Sequence, residues 1–147
     1  MQAFASTHVL EERCAMPQIQ KLTPNLLVVD VARSVAFYTE VLGFTRAMTV
    51  PEEAPFVFAS VTSGGVEIFF NDAANAVKEY PALSGRPIGT SGTMFIEVKG
   101  LDEFYAQLAG KVSIVNPLVT QWYGMKEFAI ADPDGYLITF AERAEHA

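Results

Sequence analysis

Seven residues of this chain recur at one spacing. Thr23 and Thr93, Val28 and Val98, Phe58 and Phe128, Ala59 and Ala129, Gly65 and Gly135, Ile68 and Ile138, and Phe70 and Phe140 are identical at a constant offset of 70 residues. Each pair falls at an equivalent place in a strand, helix, three-strand order. A repeat of fixed period constrains a fold more than any single element does, because each copy is one supersecondary unit whose apolar face is buried by its neighbours. The expectation is an α+β protein of two tandem βαβββ modules, related by a pseudo-twofold and forming curved sheets around a cleft.

The local patterns place the elements. LTPNLLVV, from Leu22, alternates as a strand, and Asp30 caps a helix whose apolar positions Val31, Val35, Tyr38 and Leu42 recur at helical spacing until Gly43. Strand-like runs follow at Phe44 to Val50, Phe56 to Val61 and Val66 to Phe70, the last two joined by a turn through Ser63-Gly64-Gly65. Asn71 or Asp72 caps a short helix through Tyr80, and Pro81 to Gly92 is rich in turn formers. The second half replays this order: a strand over Thr93 to Val98, a helical stripe of Leu101, Phe104, Tyr105 and Leu108, then strands near Val112 to Val115, Lys126 to Ala131 and Tyr136 to Phe140. Asp132-Pro133-Asp134-Gly135 reads as the turn between the last two and not as a cation loop, because the later ligands of a calcium loop are missing.

Domain organisation follows. Residues 1–15 read as a disordered leader and 16–147 as a single domain, with module one over 20–72, a linker over 73–92 and module two over 93–142. A chain of 147 residues with 50% hydrophobic residues buries a core without disulfides or a structural metal.

Four strands and one helix per module give each sheet one face to hide. Leu26, Val28, Ile68, Phe70, Met94, Ile96, Val98, Phe128, Ile138 and Phe140 form that face. The other face then holds Thr23, Asn25, Leu27, Val57, Ala59, Glu67, Phe69, Thr93, Phe95, Glu97, Glu127, Ala129, Leu137 and Thr139. Small groups, a few large apolar ones and three carboxylates suit a ligand cavity.

Composition removes several functions. The only Cys and both His, at Cys14, His8 and His146, lie near the chain ends, which leaves the body without a thiol or an imidazole for zinc or nucleophilic catalysis. No catalytic residue is assigned. Seventeen acidic against ten basic residues give a net charge of −7, which disfavours nucleic acid and anionic membrane and favours cationic small molecules. A single Cys, no long apolar run and no apolar signal segment fit a cytoplasmic protein.

The runs LTPNLLVVDVARSVAFYTEVLGF, GVEIFFND and WYGMKEFAIADPDGYLITF resemble the vicinal oxygen chelate superfamily, which holds glyoxalase I, extradiol dioxygenases, fosfomycin resistance proteins and bleomycin resistance proteins. The resemblance spans Leu22 to Glu142. It implies one metal ligand on the first and one on the last strand of each module. Those positions fall on Thr23, Glu67, Thr93 and Thr139, although the repeat itself pairs Thr139 with Phe69. Three hydroxyls leave a divalent ion poorly neutralised, so no metal or other cofactor is expected and the metal-dependent activities of the family do not carry over. A hard-ion site of Glu67, Glu97 and Glu127 stays open beside the commoner fates of a strand Glu, salt bridging or exposure.

Within the family the C-terminal hairpin looks most like the bleomycin resistance type. That resemblance implies a metal-independent binding protein that sequesters a cationic or aromatic compound such as an antibiotic, and it implies a homodimer. The candidate ligand-binding residues are Asn25, Glu67, Phe69, Phe95, Glu97, Trp122, Tyr123 and Glu127: carboxylates for a positive group, Trp122 and Tyr123 for stacking. Packing or a dimer interface is the competing role for the two aromatics, and filler for Phe69 and Phe95. The competing functions are a lyase or isomerase using Glu67 and Glu127 as bases, with or without a divalent metal, and an inert domain sealed by Phe69, Phe95 and Leu27.

Overall fold

A computed structural model describes residues 16–145. The expected leader, with His8 and Cys14, lies outside the described residues, as does His146. Strand β1 is Asn25–Val28, followed by helix α1, Val31–Ala36, which widens into a π-helical turn over Phe37–Val41. Strands β2 (Thr45–Val50), β3 (Phe58–Ser63) and β4 (Val66–Asp72) complete the first sheet, and helix α2 (Ala73–Glu79) with a 3-10 turn (Pro81–Leu83) opens the connection. The second module comprises β5 (Thr93–Glu97), α3 (Leu101–Leu108), β6 (Ser113–Thr120), β7 (Met125–Ala131) and β8 (Leu137–Arg143). The sheets have equivalent orders, β1-β4-β3-β2 and β5-β8-β7-β6, with β1/β4 and β5/β8 parallel and the other pairs antiparallel. This is the expected α+β pair of tandem βαβββ modules.

Local chemistry starts the two long helices differently. Asp30 is extended (φ −142°, ψ 104°) and its carboxylate accepts the Arg33 N–H, a cap supplied from within the helix's own sequence. Helix α3 has left-handed Gly100 at its N-cap, and Glu142 of β8 accepts the Gly100 and Leu101 N–H groups at 3.1 Å each. That cap comes from 41 residues away.

The helix-facing sides of both sheets merge into one core that includes Val28, Ile68, Phe70, Phe128, Ile138 and Phe140, with Leu26, Met94, Ile96 and Val98 packed against it. Tyr38 of the α1 turn meets Phe70 at 4.8 Å between ring centroids, and Phe104 of α3 meets Phe140 edge-on at 5.0 Å. Each such large side chain contributes about 1.5–3 kcal/mol on burial.

The repeat slips by one residue in the third strand of each module. Leu26 lies beside Phe70 and Ile96 beside Phe140, so the offset of 70 holds for β1/β5 and β4/β8. Opposite Phe70, however, is Ala59, and opposite Phe140 is Phe128. Residues 59 and 128 are therefore the true counterparts. The cause is the hairpin: Gly64-Gly65 alone separates Ser63 from its partner Val66, whereas five residues separate Ala131 from its partner Leu137. A one-residue slip turns every side chain to the opposite face. Ala59, expected on the face away from the helix, accordingly lies in the core with no exposed surface, and Phe58 lies on the open face that its identical partner Phe128 does not share.

The longer turn has work of its own. Asp134 accepts the Val29 N–H at 2.9 Å, the Arg33 guanidinium at 3.2 Å and the Ser34 hydroxyl at 3.3 Å, all at the β1–α1 junction of the other module. Asp132 accepts the Tyr38 hydroxyl at 2.7 Å and the Asp134 and Tyr136 N–H groups at 2.9 Å each. The Tyr136 hydroxyl donates to the Leu27 carbonyl at 2.7 Å. What reads in sequence as a plain hairpin turn fastens the modules together.

Candidate functional site

The faces away from the helices carry the candidate site, and strand register orders their side chains into rows. On the first sheet one row runs Met48, Ser60, Phe69, Asn25 and the next Val50, Phe58, Asn71, Leu27. The matching rows of the second sheet are Asn116, Ala129, Thr139, Phe95 and Val119, Glu127, Ala141, Glu97.

Chemistry differs at nearly every matched position. On the first sheet Phe58 and Phe69 pack edge to face at 5.1 Å, and the Asn71 amide donates to the Asn25 side-chain carbonyl. These groups fill the surface and satisfy one another. On the second sheet Ala129, Ala141 and Thr139 make a low floor. Glu127, buried to 8% exposure, accepts the Tyr123 hydroxyl at one side, and that bond raises the Tyr123 pKa. Trp122 stacks on Tyr123 at 5.3 Å and 29° and is 95% exposed. Glu97 and the 55%-exposed Phe95 stand on the opposite side, with Glu97 two strands, about 10 Å, from Glu127. Small side chains thus lie between carboxylates and aromatic rings in the outline of a trough, with Ala129 and Ala141 themselves buried.

The structure distributes the eight sequence candidates over four places. Glu127, Tyr123 and Trp122 form one wall of the trough. Glu67, Phe95 and Glu97 line a cavity of about 570 Å³ at the seam where the lead into β1 and the start of β4 meet β5. There Lys21 hydrogen-bonds Glu67. Asn25 lines a different cavity beside the inter-module connection, and Phe69 is packed against Phe58. Leu27, a sequence candidate for sealing the cleft, lines that second cavity too. Sequence reasoning missed the floor residue Ala141 and the filler Phe58, because their faces depend on hairpin register.

The donor set does not fit a divalent ion. By register the counterpart of Thr139 is Phe69, since they lie beside the matched residues Phe95 and Asn25, so Glu67 is not at the fourth position that the family's metal enzymes use. Hydroxyls at Thr23, Thr93 and Thr139 with a phenyl ring offer no charge to neutralise the ion. Glu127 is also set apart from Glu67 and Glu97, and among the described residues no three His, Cys, Asp or Glu side chains are grouped as metal ligands.

Paired βαβββ sheets with an open face on each define a class, and the chain's sequence falls within it: residues 18–140 match the Glyoxalase/Bleomycin resistance protein/Dioxygenase superfamily, and the protein belongs to that family. Among its curated relatives is the bleomycin resistance protein of Geobacillus stearothermophilus, 32% identical over 130 residues, covering 82% of this chain and 94% of the relative. Among solved structures, the bleomycin-binding protein of Streptomyces verticillus complexed with copper(II)-bleomycin superposes with a TM-score of 0.59 at 23% identity, covering 89% of this chain and all of that one. An antibiotic binding protein from a Streptomyces species superposes at 0.67 and 19% identity, over 88% of this chain and 98% of that one. At these identities the structural likenesses establish the fold. No helix among the described residues is long and apolar enough to cross a membrane.

Proposed function

We propose that the protein binds a small cationic or aromatic compound of the antibiotic class in the trough of the second sheet, without a metal, and releases it unchanged. One observation carries this reading: one sheet face sets Glu127, Glu97, Tyr123, Trp122 and Phe95 around the small side chains of Ala129, Thr139 and Ala141. Stacked rings recognise a flat ring system, and carboxylates in a chain of net charge −7 attract a cation. The bleomycin resistance relatives support the same ligand class. The reading includes a cytoplasmic homodimer, supported by exposed apolar groups on the open faces, among them Met48, Val50, Val119 and Phe95, that a second copy would cover.

The chain's single tryptophan is Trp122, so its fluorescence reports on the trough. Chelator-dialysed protein titrated with metal-free bleomycin is expected to show saturable quenching, with the compound recovered unchanged by mass spectrometry. A requirement for added divalent ion, or no change in emission together with no binding by calorimetry, overturns the proposal. Sedimentation of the same sample is expected to give the mass of a dimer.

A further inference from the structure

The seam cavity has a pseudo-twofold mate. The first is built from the lead into β1, the start of β4 and β5; the second, about 390 Å³, is built from the lead into β5, Tyr136 just before β8, and β1. Their chemistry is opposite. The first contains Glu67 and Glu97, whereas no carboxylate lines the second. Its charged group is Arg86, and among the described residues Arg86 is in no ion pair. Asn25, Thr90 and Ser91 add polar groups, while Leu83, Ile88 and the Tyr136 ring supply apolar wall.

The wall is held in place. Gly89 has φ +79°, and a Cβ there would lie 2.5 Å from the Asp134 carbonyl oxygen, so the connection sits directly on the Asp132–Gly135 turn. The Tyr136 hydroxyl donates to the Leu27 carbonyl, tying this wall of the cavity to β1. A pinned wall means that little ordering is left for a ligand to impose.

We propose that this cavity is a second binding site, separate from the trough, for a small organic carboxylate with an apolar body. A guanidinium binds a planar carboxylate through two parallel hydrogen bonds, and the volume lies within the range of small-molecule sites. The lack of a carboxylate in the lining admits an anion that the rest of this acidic chain repels.

The test is an amide NMR titration of the full chain with sodium phenylacetate, against phenylacetamide as the neutral isostere. Phenylacetate is expected to shift Leu26, Leu27, Gly89, Thr90 and Ser91 saturably, with phenylacetamide about tenfold weaker. R86Q should weaken phenylacetate by about the same factor and leave bleomycin quenching of Trp122 unchanged. Because the Arg86 side chain is exposed, R86Q is expected to keep the wild-type spectrum; I88F, which narrows the cavity from its apolar side, is the second variant and should weaken both probes. Equal binding of the two probes, unchanged binding in R86Q, unchanged binding in I88F, or shifts confined to Thr93–Glu97 would each overturn the proposal. Failure of the trough reading shows in Trp122 fluorescence, so the two are read apart.

Discussion

The two open faces share a strand order and little else. On the first, Phe58 and Phe69 fill the space above β3 and β4 and Asn25 pairs with Asn71. On the second, the matched positions are Glu127, Thr139, Phe95 and Ala141, and the middle of the sheet stays low. One duplicated backbone thus carries one face centred on packed rings and paired amides and one centred on small side chains between acidic and aromatic ones. The helix side shows the converse: Ala59 of the first module corresponds to Phe128 of the second, and the ring of Tyr38 on Phe70 occupies the first module's core instead.

The comparison is broken most severely in the core. F128A removes a ring in contact with Phe104, Tyr105 and Phe140 and is expected to cost about 3–5 kcal/mol in urea unfolding. The matched position in the other module already holds alanine, so a cost below about 1 kcal/mol would mean that the modules pack alike after all.

T139F gives the second face the residue that its counterpart carries at Phe69. Bleomycin affinity is expected to fall about a hundredfold, near 2.7 kcal/mol, with the unfolding midpoint little changed. Undiminished quenching of Trp122 would place the ligand elsewhere.

Y38F tests the fastening between modules and should cost about 1–3 kcal/mol, because Asp132 loses a buried donor. Burial, foremost, holds the Asp132 carboxyl above its usual 3.8, and the Tyr38 bond opposes that rise. A folded-state pKa above the unfolded one contributes stability that is fully present below the unfolded value and is lost as pH rises through the folded one. Removing Tyr38 enlarges the shift, so the deficit of Y38F should be smaller at pH 4 than at pH 7 by chemical denaturation. In the wild type, burial also raises the Tyr38 pKa, and stability should fall above about pH 10, where only the unfolded chain ionises this phenol.

The smallest effect is expected from Y123F, which frees the Glu127 carboxylate and keeps the ring. Bleomycin binding should change by less than about fivefold in calorimetry, since one hydrogen bond adds only about 0.5–1.5 kcal/mol net. A larger loss would show that the Glu127–Tyr123 pair, and not the stack, sets affinity.

The repeat, the capping Asp30, the helical stripes and the alternation of β1, β4, β5 and β8 were legible in the sequence because each is a local pattern with its own period. Two site groups were legible for the same reason: Glu127 beside Tyr123 and Trp122, and Glu97 two residues from Phe95, are neighbours in sequence. Ala59 and Phe58 were not, since identical residues at a constant offset conceal a hairpin that is longer in one module. Nor was the wall at Arg86 and Gly89, which reads as a turn-rich connection until Asp134 and Tyr136 are brought against it.

By itself, then, the sequence determined a duplicated α+β unit, most of its helix-facing side chains, an acidic chain and threonine at three of the positions where the family resemblance implies metal ligands. Tertiary structure alone decided which face β3 and β7 present, that the Asp132–Gly135 turn fastens one module to the other, and that two equivalent seam cavities differ in charge. Periodicity is written in neighbouring residues, but register and contacts between modules depend on turn length and on groups about a hundred residues apart, such as Tyr38 and Asp132, that meet only once the chain has folded.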